Sequence, residues 1–375
     1  MAPLTIRCKC GKTITVAEQH RGRTIRCGQC GRTMRTSRLD VRLWLTGLSW
    51  AYLAAVSVAG LVLWGLGDRW WPATALLFIS RWVLLLPLLP LIPAALVLKR
   101  WLLIPLALGA FVATVPVAGF RLGLLRLISH PAGAHVRVVT FNADGGRVTA
   151  IELSNVLEEW KPDVVGFQEC GVELRTAVER VPGWYHHSVR QLCLLSRFPI
   201  SDSAVMDRSQ LAYVEESAAG IGGSGDVVRY TMQTPSGPVN ITNLHLETVR
   251  KGLEGILDGG FQTERMRANT ALRTIESSLA RRWVNVGTLP TLVMGDFNTP
   301  VESRIFQDSW GDLTDAFSRV GFGFGMTRIN GWIRVRIDHV LAGDGWYIDH
   351  ATVGRDLGSD HLPLIVDLTL APRLP

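Results

Sequence analysis

Six short stretches of this chain run apolar and then end in acids, amides or imidazoles. They carry Asn142 and Asp144, Gln168 and Glu169, Asn243 and His245, Asp296 and Asn298, Asp338 and His339, and finally Ser359, Asp360 and His361. Residues 291–300, TLVMGDFNTP, show the pattern in small. The apolar run stops at Gly295, as a buried strand does at its end. Side chains alternate faces along a strand, so Asp296 and Asn298 are expected on one side and Phe297 on the other. A carboxylate and a carboxamide would then stand together at the rim of a sheet. Taken singly, each such pair also reads as a turn or a cap. Six in succession point to a site, and Glu169 would bring to it a hard carboxylate oxygen of the kind that holds Mg²⁺ with few protein ligands.

The elements that must position these groups begin after a Pro/Gly linker at 129–134. A strand (HVRVVTFNADGG), an amphipathic helix (VTAIELSNVLEEWKPD) and a second strand (VVGFQECG) indicate a layered α/β or α+β core. Further strands are expected in QLCLLSRF, VVRYTMQT, VNITNLHLE, TLVMGDFN, RIDHVLA and PLIVDL, with a helix over Thr263 to Ala280.

The region before the linker is different in kind. Leu43 to Gly67 contains no charged residue, and two more apolar runs follow, Trp82 to Leu98 and Trp101 to Phe120. Twenty-five residues of helix are about 37 Å long, enough to cross a hydrocarbon core of about 30 Å. A soluble bundle would need polar faces that these runs lack. Three transmembrane helices are therefore expected, at about 43–66, 82–98 and 101–120, with Arg81 snorkelling to the interface. Basic residues in the N-terminal tail and at Lys99 and Arg100 place the N-terminus in the cytoplasm, and three crossings put the C-terminal region outside it. Two crossings would reverse that conclusion.

Charge follows the same division. Residues 1–42 hold 10 Lys/Arg against 2 Asp/Glu, residues 43–130 hold 6 against 1, and residues 131–375 hold 23 against 29. The formal net charge of +7 thus belongs to the tail and the apolar region, and the C-terminal part lacks the basic excess expected of a polyanion binder. Four of the six cysteines, Cys8, Cys10, Cys27 and Cys30, fall in the first 30 residues as C-x-C and C-x-x-C, each pair followed by glycine. That spacing resembles a small zinc ribbon over residues 1–38, with its first knuckle one residue short. Two disulfides or four free thiols are the alternatives. Cys170 and Cys193 do not amount to a disulfide framework for the large domain.

The motifs TFNADG, FQE, NLHLE, GDFN, RIDHV and SDHLP, in that order across roughly residues 135–370, resemble the endonuclease/exonuclease/phosphatase family. The resemblance implies a four-layer α/β/β/α sandwich whose site lies where strand ends of two packed sheets meet. It implies a Mg (or Mn) ion near Glu169, Asn142, Asp360 and Asp144, although a turn aspartate before Gly145 is the equal reading of Asp144. It implies Asp296 as the group that orients and deprotonates water, Asn298 as a phosphate donor, His361 at the phosphoryl oxygens, Asp338 as its hydrogen-bond partner, and His245 as a further acid. His339, one residue from Asp338, is expected on the opposite face in a structural role. The family's phosphate-contacting Arg or Tyr is not securely placed; Arg190 is a candidate, and an ordinary surface arginine is the equal reading.

The expected protein is a multi-pass, membrane-anchored, metal-dependent phosphoesterase acting on a lipid, nucleic acid or small molecule, with no protein partner inferable. A nuclease, and a membrane-bound module that binds or senses a phosphorylated ligand, are the competing expectations.

Overall fold

The computed structural model describes residues 4–17, 20, 23–35, 41–127, 132–211, 225–257, 263–284, 287–331 and 333–372. The expected linker at 129–134 lies partly outside these residues. The chain forms two compact units, one of residues 1–57 and 84–112 and one of residues 58–83 and 113–375.

The first unit opens with two hairpins, Leu4–Arg7 with Thr13–Val16 and Thr24–Arg26 with Thr33–Arg35. Each is preceded or closed by a cysteine knuckle: Gly11 N donates to Cys8 O at 2.8 Å and Gly31 N to Cys27 O at 2.9 Å. The apolar region of the chain forms α1 (Val41–Gly65), α2 (Trp71–Phe78), α3 (Leu88–Leu98) and α4 (Leu103–Val112). Val41–Gly65, Arg81–Leu98 and Arg100–Val117 are each long and apolar enough to cross a membrane. Their outward residues are hydrocarbon: Leu43, Leu61, Leu89, Val97 and Ile104 are all exposed. Exposed apolar faces of this kind mark contact with a membrane or with another protein.

Arg81 departs from expectation. Its side chain does not snorkel; it is buried in the second unit, 3.3 Å from the buried carboxylate of Glu302. A carboxylate on the loop after the GDFN strand gives the guanidinium a charged partner.

The second unit holds two six-stranded sheets. In chain order the strands are β1 (Ala134–Asn142), β2 (Val164–Gln168), β3 (Tyr185–Val189), β4 (Leu192–Ser196), β5 (Ile200–Val205), β6 (Asp226–Thr234), β7 (Gly237–His245), β8 (Thr291–Asp296), β9 (Thr314–Asp315), β10 (Asp338–Ala342), β11 (Trp346–Val353) and β12 (Leu364–Leu370). One sheet runs β11-β12-β1-β2-β4-β3 and the other β5-β6-β7-β8-β10-β9. Each has a parallel pair at its centre, β1 with β2 and β7 with β8, and antiparallel neighbours outward.

Period-two alternation builds the layers. Val136, Val138, Val164, Leu192 and Leu194 of the first sheet meet Met232, Val239, Ile241, Leu292, Met294 and Val340 of the second in the central core. The intervening residues Val139, Phe141, Val165 and Phe167 face α5 (Ala150–Trp160) and α6 (Val172–Glu179). On the far side Val293 and Leu341 face α8 (Thr263–Val284) and α9 (Arg304–Trp310), α7 (Arg250–Leu257) lying just before α8. The result is the expected α/β/β/α sandwich.

The junction between α1 and α2 is tied into this unit. Asp68 accepts from Arg273 of α8 at 3.3 Å, with both side chains 2% exposed, and from the hydroxyl of Ser303. Arg273 in turn donates to the carbonyl of Asn298 at 3.2 Å.

Candidate active site

The inward face of each strand stays apolar until its last residues and then turns polar. Val136 and Val138 continue to Asn142; Val239 and Ile241 continue to Asn243 and His245; Leu292 and Met294 continue to Asp296; Val340 leads back to Asp338. Pairing registers set Asn142 beside Gln168, His245 beside Asp296, and Asp296 beside Asp338. The polar groups therefore lie in the same layer as the central core, at its open end. Below them Gln168 Nε2 donates to Asn243 Oδ1 at 2.6 Å, and Asn243 Nδ2 donates to the carbonyls of Phe167 and Cys193 at 3.1 and 3.2 Å. This buried network joins the two sheets directly beneath the site.

Asp296 is at the centre. Its Oδ2 accepts from Asn142 Nδ2 at 3.0 Å and lies 3.7 Å from His245 Nε2 and 3.8 Å from His361 Nε2. Burial raises its pKa, the neighbouring Asp338 carboxylate adds to this, and the two histidines only partly offset it. Its Oδ1 accepts from the backbone of Asn298 at 2.8 Å. That bond is an Asx-type turn, and β8 ends at Asp296. Asn298 is thus placed by a left-handed turn at φ 50°, not by strand alternation as expected. Its carboxamide nitrogen donates to Leu246 O at 2.8 Å. Gly295 makes the approach possible, since a Cβ there would sit 1.9 Å from the carbonyl oxygen of Leu244.

His361 is held by Asp338, whose Oδ2 accepts from Nδ1 at 2.8 Å. Burial alone would lower the imidazole's pKa, but Asp338 and Asp296 together push it up to about 9. Asp338 is held low: burial opposes its charge, and His361 more than compensates. His361 Nε2 faces Asp296 Oδ2 and Asp360 Oδ1, each at 3.8 Å, and Arg328 Nη1 at 3.3 Å. His339 points to the other face, as expected, between Asp315 Oδ2 at 3.0 Å and Thr299 O at 2.9 Å.

Glu169, Asp144 and Asp360 form a carboxylate rim, with side chains 35%, 30% and 21% exposed. Glu169 Oε1 accepts from Asn142 Nδ2 at 3.2 Å and lies 3.8 Å from His245 Nε2. Asn142 Oδ1 accepts from Asp144 N at 3.0 Å. Partial burial raises the pKa of Asp144, and Asp360 and then Glu169 raise it further against Arg147. Hard carboxylate oxygens are the ligands a divalent cation takes. Among the described residues it is Asp296, Asp338 and His361, and not these three acids, whose ligand atoms all come within 4.8 Å of one another. In that cluster His361 Nδ1 is already committed to Asp338, which leaves only Nε2 of the ring to offer a ligand.

Among the described residues five non-glycine residues have positive φ: Asp144, Lys161, Glu169, Arg190 and Asn298. Lys161 caps α5; the other four are the candidate site residues on this structure's turns. Such backbone is costly and persists where the surroundings fix it, most often at functional sites. Arg190 itself donates to Asp226 Oδ1 at 2.9 Å, and Asp226 pairs in register with His245.

Two features escape the sequence. Arg328 donates to Asp360 Oδ2 at 2.9 Å and is bridged through its backbone to His361; only that bridge brings it to the site. Cys170 and Cys193 form a disulfide, a single cross-link and not a framework, whose pairing the sequence left open. It lies next to Glu169 and follows from the register of β2 on β4, Phe167 opposite Cys193. In the N-terminal module the four cysteines are free thiols with sulfurs within 4.8 Å of one another. Backbone N–H groups of Gln29 and Cys30 lower the Cys27 thiol to about 6, while Cys10, despite the backbone N–H of Lys12, is pushed up to about 11 by the neighbouring cysteines.

A two-sheet sandwich that gathers buried acids, amides and an imidazolium at one open end defines a class of hydrolytic folds. Residues 139–361 match the model of the endonuclease/exonuclease/phosphatase family, and the chain belongs to that family. Among solved structures it is similar to the endonuclease/exonuclease/phosphatase from Beutenbergia cavernae, at 17% identity over 63% of this chain and 72% of that one, TM-score 0.48. It is also similar to humanized D. rerio TDP2, at 14% identity over 63% and 99%, TM-score 0.48, and to the human Nocturnin catalytic domain, at 15% identity over 64% and 97%, TM-score 0.47. No curated protein matches the chain in sequence.

Proposed function

We propose that the protein is a membrane-anchored, divalent-metal-dependent phosphoesterase. The observation that carries this reading is the pairing of a buried acid, Asp296, with an imidazolium, His361, 3.8 Å apart at the open end of the core. Asp296, with its raised pKa, accepts a proton from water as the water oxygen bonds to phosphorus. The P–O bond to the leaving group breaks as that bond forms, and the leaving oxygen takes the proton of His361. Asp338 holds the imidazole in orientation and keeps it charged. Asn298, His245 and Arg328 face the phosphoryl oxygens, and Arg190 fixes the loop behind them through Asp226. Glu169 and Asp360, with Asn142 and Asp144, would hold Mg²⁺ or Mn²⁺. Such an ion supplies charge neutralisation at phosphorus and the leaving oxygen.

Two observations support a catalytic domain outside the cytoplasm. The Cys170–Cys193 disulfide suits an oxidising compartment, while four free thiols suit a reducing one. Asp68 and Arg81, on either side of α2, make buried ion pairs with the catalytic domain. The loop after the first span then shares a side with that domain, so an even number of crossings separates them. This agrees with three spans and with Lys99 and Arg100 on the cytoplasmic side. Four free cysteines with sulfurs within 4.8 Å of one another support a zinc ribbon in the N-terminal module.

Purified full-length protein in detergent, assayed with bis(p-nitrophenyl) phosphate and Mg²⁺, tests the chemistry. Asp296→Ala and His361→Ala should abolish turnover, and neither excess metal nor excess substrate should restore it. Undiminished turnover in either variant refutes the mechanism. Salt-sensitive plasmid cleavage exceeding all other turnover would make the protein a nuclease instead.

A further inference from the structure

Next to the polar site lies a second cavity of about 180 Å³. Its walls include Phe78, Val249, Leu253 and Ile333, and Asn298 and Arg328 line its polar end. Arg328 also donates to Asp360 and lies 3.3 Å from His361 Nε2, and the backbone of Asn298 donates to Asp296, so the cavity borders the site. Phe78 ends α2, the segment between the first two candidate spans. The Arg273 guanidinium lies 5.7 Å above its ring and donates to the carbonyl of Asn298. The wall is therefore fixed to the same backbone that carries the catalytic turn. Ile333 is 44% exposed beside it, leaving hydrocarbon at the mouth.

Thr248, Arg250, Glu254 and Asn330 also line the cavity, but the hydrocarbon of Phe78, Val249, Leu253 and Ile333 suits an alkyl chain, which brings no polar group in need of a partner. Building on the phosphoesterase reading above, we propose that this cavity takes the hydrocarbon chain of a membrane lipid whose phosphoester is hydrolysed beside Asp296 and His361. Water adds to phosphorus, one P–O ester bond breaks, and the two products are a phosphate-bearing fragment and an alcohol. Phe78 stands between two candidate spans in the chain, which favours a substrate drawn from a bilayer over one from free solution.

The test uses the full-length protein with a series of alkyl p-nitrophenyl phosphodiesters, methyl to octyl, in Mg²⁺ below their micellar thresholds. The value of kcat/KM should rise by about fourfold per methylene until the cavity is filled. Leu253→Asn and Ile333→Asn should each flatten that rise, lowering the octyl ester more than the methyl ester; two variants guard against one that fails to fold. Equal turnover of methyl and octyl esters by the native protein overturns the lipid assignment and leaves the phosphoesterase reading standing. An unchanged rise in both folded variants overturns the assignment to this cavity. If no ester is turned over faster than by Asp296→Asn, the phosphoesterase reading fails and the lipid inference with it.

Discussion

Asp68 and Arg273 form a buried ion pair at 3.3 Å, joining the loop after the first candidate span to the helix behind the catalytic turn. Both side chains are 2% exposed, so neither charge can be left alone cheaply. Replacing Asp68 by Ala should cost about 3–5 kcal/mol of stability. A fragment beginning near residue 131 loses Asp68 and Arg81 together and strands Arg273 and Glu302. It should therefore unfold at lower temperature than the full chain in detergent, as followed by thermal scanning fluorimetry. Equal melting temperatures would show the pairs to be incidental.

His361 and Asp338 set a pH dependence. With His361 pushed up to about 9, the protonated form persists through neutrality and is lost as pH rises through that value. Turnover should fall on an alkaline limb near pH 9. Asp338→Asn removes the carboxylate that sustains the charge, so the limb should move toward lower pH. His361→Asn should cost about 10²–10⁴ in kcat. A pH–rate profile at saturating Mg²⁺ checks all three, and an alkaline limb unmoved by Asp338→Asn would break the link.

Metal dependence should respond to Glu169. Chelation with EDTA should abolish turnover, and Mg²⁺ or Mn²⁺ should restore it. In Glu169→Gln the concentration needed for half-maximal activity should rise at least tenfold, by analogy with losses seen on disturbing metal-site ligands and their partners. Titration of activity against metal gives the answer directly.

The Cys170–Cys193 bridge holds the turn that carries Glu169. Cys193→Ser should lower stability by about 3 kcal/mol, seen as a lower denaturant midpoint. Alkylation of the unreduced chain, denatured in EDTA to release zinc, should label the N-terminal thiols and spare Cys170 and Cys193. Ready labelling of the latter pair would argue for a reducing compartment.

The ribbon should bind one zinc ion per chain, measured by elemental analysis. Cys27→Ser should abolish binding and unfold only this module, because the site's binding energy is its folding energy. Turnover by the catalytic domain should persist.

The eight strands legible in the sequence are all internal to the two sheets. The four that were not, β3, β5, β9 and β11, are the four sheet edges. An internal strand is buried on both sides and reads as an apolar run, whereas an edge strand such as ISDSAV, Ile200–Val205, is mostly solvent-exposed and has a mixed pattern. The same division governs the site. Asp296, His245 and Asn142 are legible because each ends an apolar strand, and Asp338 because it begins one, so that local alternation fixes the face of each.

Other features came from pairings between distant segments. Arg328 reaches His361 only across a bridge of 33 residues. Cys170 meets Cys193 only through the β2–β4 register. Arg81 meets Glu302 across 221 residues, and Arg273 meets Asp68 across 205. The sequence alone determined which side chains could do phosphoester chemistry and which helices are apolar enough for a bilayer, since both depend on local composition and periodicity. The tertiary structure decided which charges are buried together and what wall stands beside the catalytic turn, because those depend on long-range packing that no local pattern encodes.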